Sequence, residues 1–284
     1  MTGTIQMIKP SENSPEYYIS FYNMYNLLQI NDTVVFNVFE EVTVKLQLTN
    51  EDFLENINTE NYAEQLYELI KMTGVEPPEN VIKMMGEDRG VDTSFTQSLL
   101  ACDISPFDWF RKGNEFSHLY AIFEQALKDF FAQHENSKKA QQAELVNILL
   151  TWLGDNGKLI HFLETLEFKT FGLIGSADEV KAIWDYYTKV RNCISHSGGR
   201  ITKKIVGGFN EIKSKHSATL SAVQNKDFLR LYFLLNEEDD YDLFHCKYSL
   251  QDIIQLDNKC LNFFRMFCVF IIESLAEAMN ANGA

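Results

Sequence analysis

From residue 105 onward apolar side chains recur at helical spacing in one run after another, and that pattern limits this part of the chain to packed helices. Leu119, Ile122, Phe123, Ala126, Leu127, Phe130 and Phe131 follow i, i+3, i+4 steps, so a segment from about Pro106 to His134 must bury one face. Asn136-Ser137 offers a cap for a second helix carrying Leu145, Ile148, Leu149 and Trp152, which Gly154-Asp155-Asn156-Gly157 ends. A shorter helix is expected from Lys158 to Phe168. Ser176 or Asp178 can cap the next, which runs through Val180, Ile183, Trp184, Tyr187, Val190 and Ile194 until Gly198-Gly199 stops it. Residues 200–248 are less regular, with a hairpin conceivable between Arg230–Leu235 and Tyr241–Tyr248. A last helix is expected from about Leu250 to Met279. Long helices with apolar faces must cover one another, so the expected fold class is mainly α, a helical bundle over residues 105–284.

The N-terminal region, residues 1–104, reads differently and is expected to form a smaller α or α+β region. Residues 15–30 have aromatic spacing that suits a short helix. Thr33 to Leu48 alternates at Val42, Val44, Leu46 and Leu48 and fits one or two strands, while Phe36, Phe39 and Glu40-Glu41 leave a helix open. Residues 51–72 and 79–86 look helical, separated by Pro77-Pro78.

The five cysteines form no CxxC or short Cys/His spacing, so neither a disulfide framework nor structural zinc is expected, and a reducing, cytoplasmic setting fits. The first residues show no basic segment followed by an apolar run, so no secretory leader is expected. The most apolar stretch, Met266 to Ile272, is too short to span a bilayer, and no membrane partner is expected. No Walker loop, GxGxxG, HExxH or GxSxG is present, and no cofactor is expected. Glu115 and His118 have the spacing of a carboxylate–histidine metal pair, but no second such pair accompanies them, and no metal site is assigned.

Charge is unevenly spread. The chain carries a net −15, which by itself argues against nucleic acid. Residues 1–105 hold 5 Lys/Arg against 17 Asp/Glu. Residues 181–215 reverse the sign, with Lys181, Lys189, Arg191, Arg200, Lys203, Lys204, Lys213 and Lys215 against Asp185 and Glu211. This local excess is either a chance fluctuation on a solvated surface or a patch that faces phosphate.

On a helical wheel at about 100° per residue, Val180, Ile183, Trp184, Tyr187, Val190 and Ile194 define one apolar face, and Arg191 falls inside it. An arginine aimed into an apolar stripe needs partners for its donors, or a stem that carries the head to water. His196 lies five residues on, roughly 140° around the helix at ideal pitch, so the two are not automatically neighbours; the nearby glycines suggest a helix already unwinding there, which would free His196 to turn.

Arg191-Asn192-Cys193-Ile194-Ser195-His196-Ser197-Gly198-Gly199, following Trp184-Asp185-Tyr186-Tyr187, resembles the motif of the HEPN superfamily: Arg, a polar residue that is often Asn, a short spacer and His near the end of a bundle helix. The resemblance covers about residues 106–284 and does not extend to the N-terminal region. It implies a metal-independent endoribonuclease of toxin–antitoxin or phage-defence type, acting on RNA as a homodimer whose two motifs share one cleft, with an antitoxin or defence-system protein as a possible partner. The RNA supplies its own 2′-hydroxyl nucleophile. His196 would act as base or acid, since an ordinary imidazole titrates near about 6.5. Arg191 would hold the scissile phosphate, and Asn192 would orient the imidazole or bond the phosphate. Lys189, Arg200, Lys203 and Lys204 would bind RNA along the approach, and the acidic N-terminal region is a candidate restraint on that basic surface. Two alternatives stay open: a non-catalytic helical dimerisation or protein-interaction module, and an unrelated helical regulator in which Arg191 pairs with an internal carboxylate.

Overall fold

A computed structural model describes residues 5–46, 106–135, 145–155, 157–226, 229, 244 and 253–282. The described residues are organised by seven α-helices: α1 Glu16–Leu46, α2 Pro106–Glu135, α3 Leu145–Asp155, α4 Leu159–Thr170, α5 Ala177–Ser197, α6 Lys203–Gln224 and α7 Asn258–Asn282. No strand occurs among them; an isolated antiparallel bridge joins Arg200 to Ile253. The mainly α expectation therefore holds. The strand reading of Thr33 to Leu48 does not hold as far as Leu46, because α1 continues unbroken through it. β-branched side chains lower helix propensity only modestly, and the 3–4 spacing of Phe36, Phe39 and Glu40 prevails over the alternation. The expected helices at 51–72 and 79–86 and the 230–248 hairpin lie outside the described residues, apart from Phe244.

The chain divides into two compact units, Met1–Gln29 with Lys112–Ala284, and Ile30–Arg111. This differs from a single boundary at residue 105, because the first 29 residues belong to the larger unit. The reason is aromatic burial: Tyr17, Phe21 and Tyr25 are at most 2% exposed, and Tyr17 meets Phe130 edge-on at 5.4 Å. The preceding segment is tied down through its backbone. Ile8 N donates to Glu273 Oε1 at 2.7 Å, Tyr18 Oη donates to Ile8 O at 2.6 Å, and Tyr25 Oη donates to Ile5 O at 2.9 Å.

In the larger unit α5 packs on α6 and α3, and α4 packs on α7 and α3. The core is aromatic. Phe264 of α7 lies 4.8 Å from Phe116 of α2 and 4.5 Å from Tyr187 of α5, ring centre to ring centre. One ionic group is sealed within it: Glu115 of α2 binds Arg265 of α7, whose Nε donates to Glu115 Oε1 at 2.6 Å, with Asn262 on Arg265 and Gln29 on Glu115. Each charge is thereby compensated inside the bundle, which a buried pair requires.

Ends of the helices follow local chemistry. Ser176 caps α5 by accepting from Glu179 N, and Asp257 Oδ1 accepts from Cys260 N at 2.6 Å at the start of α7. α7 thus begins later than the expected Leu250. α6 was not expected at all. Its buried residues Phe209, Ile212, His216, Leu220 and Val223 do follow helical spacing, but Gly207-Gly208 and several Ser and Thr obscure it.

Candidate functional site

The candidate site occupies the last turns of α5 and the loop into α6. α5 stays helical through Ser197 and then turns sharply, with Gly198 and Gly199 at φ 56° and 79°. Two consecutive left-handed residues explain the glycine pair, since a Cβ is strained in that region. Gly199 N donates back to Cys193 O at 3.1 Å, and Ile254 N donates to Gly199 O at 2.9 Å, so the turn is fastened to the segment before α7. Cys193 is fully buried beneath it and donates its thiol toward Arg200 O. It is a packing residue.

Arg191 is half-buried and His196 is exposed. Arg191 Nη1 lies 3.4 Å from His196 Nε2 and donates to Asn192 Oδ1 at 3.2 Å. The three motif residues therefore converge. The expected unwinding is absent: the helix is intact through Ser197, and the long arginine stem spans the angular offset. A guanidinium has donors only, so any hydrogen bond across this contact has His196 Nε2 as the acceptor.

On its inner side Arg191 faces α2. Its guanidinium carbon sits 5.8 Å from the centre of the Tyr120 ring. That ring stacks on Trp184 at 4.7 Å and 16°, and its hydroxyl bonds Thr188 Oγ1 at 2.9 Å. Burial pushes the Tyr120 phenol well above its ordinary value. One turn along α2, Glu124 is buried, and that burial raises its carboxyl while Lys128 and Arg191 pull it back. No ion pair joins Arg191 to Glu124 or to any other carboxylate among the described residues, which argues against a purely structural arginine held by a core acid. Tyr120, Thr188 and Glu124 were not singled out in the sequence. A tyrosine within a Phe/Leu stripe, carrying a hydroxyl that must find a partner, was the available signal.

The basic residues sort into two groups. Lys181 and Lys215 both pair with Asp185, at 3.1 and 3.7 Å, and His216 Nε2 meets the same carboxylate at 2.9 Å. Lys189, Lys203 and Lys204 form no ion pair among the described residues. Lys189 is half-buried and its stem passes over Gly208, where an added methyl would stand 3.4 Å from Cδ. Arg200 is exposed in the loop, and Lys203 and Lys204 are exposed at the first two positions of α6.

Among the described residues no three His, Cys, Asp or Glu side chains gather as metal ligands. Glu115 is engaged with Arg265, while the exposed His118 turns Nδ1 to Asn114 O at 2.8 Å, so the two do not converge. No helix among the described residues is long and apolar enough to cross a membrane. Comparison with protein-family models, with curated proteins and with solved structures found no match to this chain.

Proposed function

We propose that the chain is a metal-independent endoribonuclease of HEPN type, acting in a toxin or antiviral-defence setting in the cytoplasm. The observation that carries this reading is the convergence of Arg191, Asn192 and His196 at a solvent-facing helix end, with no carboxylate among the described residues paired to the arginine. Lys189, Lys203 and Lys204, which form no ion pair among the described residues, support it, since they flank the motif in sequence and suit a phosphate backbone.

The chemistry requires little beyond these groups. An incoming phosphate attracts Arg191 away from His196 and frees the Nε2 lone pair. His196 Nε2 then takes the proton of the ribose 2′-hydroxyl, whose oxygen attacks the adjacent phosphorus. The bond to the 5′-oxygen breaks as Arg191 offsets the charge growing on the non-bridging oxygens. The products are a 2′,3′-cyclic phosphate and a 5′-hydroxyl. The proton taken up by His196 passes to the leaving 5′-oxygen, and a second copy of the motif across a homodimer interface would complete the cleft. An antitoxin or defence-system protein that covers this cleft would hold the activity in check.

End-group analysis tests the mechanism. A short RNA should yield the cyclic phosphate and 5′-hydroxyl, and the same oligonucleotide with a single 2′-deoxy sugar at the cleaved position should survive. Cleavage of the deoxy substrate at that position contradicts 2′-hydroxyl attack. The second reading, a non-catalytic dimerisation or protein-interaction module, is favoured by the net charge of −15. It predicts an intact dimer that leaves RNA untouched.

A further inference from the structure

We infer that Tyr120 is a positioning residue for Arg191, an aromatic shelf on α2 that keeps the guanidinium turned toward Asn192 and His196. The inference deepens the ribonuclease reading and rests on it for its catalytic consequence, though not for its geometric one. The argument begins with immobility. Tyr120 is 3% exposed, stacked on Trp184 at 4.7 Å, parallel to Phe264 at 6.1 Å, and anchored by its hydroxyl to Thr188 on α5. A ring held from two neighbouring helices cannot follow a mobile side chain; the side chain must settle on the ring. The guanidinium carbon lies 5.8 Å from its centre, within the range where the negative face of an aromatic ring attracts a cation.

The shelf also answers a competing pull. Glu124 stands on the same helix one turn beyond Tyr120 and interacts electrostatically with Arg191, yet the two form no ion pair among the described residues. Without an aromatic surface to rest on, the arginine is free to turn toward that buried carboxyl group, and a guanidinium drawn inward would leave Asn192 and His196. Thr188, one turn before Asn192 on α5, completes the arrangement by fixing the ring to the helix that carries the motif.

The test uses the full chain and reads the geometry directly. In the unmodified protein, the Arg191 side-chain resonances should be displaced upfield by the ring current, with cross-relaxation between the arginine methylenes and the Tyr120 ring protons. Tyr120→Phe keeps the shelf and should keep that displacement. Tyr120→Met fills similar space without a ring and should abolish it. In RNA cleavage, Tyr120→Phe should stay within a few-fold of the unmodified protein, whereas Tyr120→Met should lose on the order of a hundredfold in kcat with a smaller change in KM. An undisplaced Arg191 in the unmodified protein, or an equal displacement in Tyr120→Met, overturns the shelf. A displaced Arg191 in a protein that cleaves no RNA keeps the shelf and removes the nuclease reading.

Discussion

Arg191 Nη1 donates to Asn192 Oδ1 and lies 3.4 Å from His196 Nε2, and the guanidinium rests beside an aromatic ring. Its placement inside the apolar stripe of α5 was legible from spacing, as was the glycine stop after His196. The meeting of the two side chains was not, because a wheel records Cβ directions and ignores the reach of a long stem. Phe171 is the other residue with unusual geometry. It closes α4 at φ 51° with its side chain 75% exposed. Left-handed geometry costs most L residues roughly 1–2 kcal/mol and asparagine less. Phe171→Asn should therefore stabilise the fold by about 0.5–1 kcal/mol in denaturant melts; a loss of stability would mean that the exposed ring makes contacts worth more than the strain.

At the scale of elements, α6 begins with a charge arrangement that works against its own stability. It opens with Lys203 and Lys204 and has no acidic residue in its first turn, although a helix N-terminus favours negative charge. Replacing both lysines by glutamate should raise thermal stability slightly, by roughly 0.3–1 kcal/mol per site at low salt. The same change should weaken RNA binding and flatten its salt dependence. Unchanged RNA affinity would remove these lysines from the interface. α7 supplies a second prediction through Glu273, which holds the segment before α1 at Ile8 N. Burial raises this carboxyl above its ordinary range, against the pull of the Ile8 N–H and Lys169. A carboxyl raised in the folded state contributes stability that is complete below its unfolded pKa and lost as pH climbs through the raised value. The melting temperature should thus fall over that interval for the native protein and fall less for Glu273→Gln; parallel curves would show that Glu273 does not titrate there. Helix existence was readable where one face is uniformly apolar, as in α2 and α5. It was hidden where glycines and small polar residues dilute the pattern, as in α6, and left undecided between strand and helix where β-branched residues in α1 mimic alternation.

At the scale of the whole molecule, the acidic total conceals a basic patch whose charges are only partly neutralised. Asp185 absorbs Lys181 and Lys215, which leaves Lys189, Lys203 and Lys204 unpaired among the described residues beside the motif. The expected split of the chain at residue 105 missed that Tyr17, Phe21 and Tyr25 belong to the core of the larger unit, because burial partners far apart in sequence leave no local trace. Removing residues 1–104 to test restraint by the acidic region would therefore strip that core, and point substitutions of its carboxylates are the cleaner probe. The claim on which the functional account depends is that the Arg191 guanidinium and the His196 imidazole cut RNA without a metal ion. Cleavage of purified RNA in excess EDTA by the native protein, by Arg191→Ala and by His196→Ala measures it most directly. The account predicts cutting by the native protein and a loss on the order of a hundredfold or more in each folded variant. Equal cutting by all three, or cutting that EDTA abolishes, would contradict it.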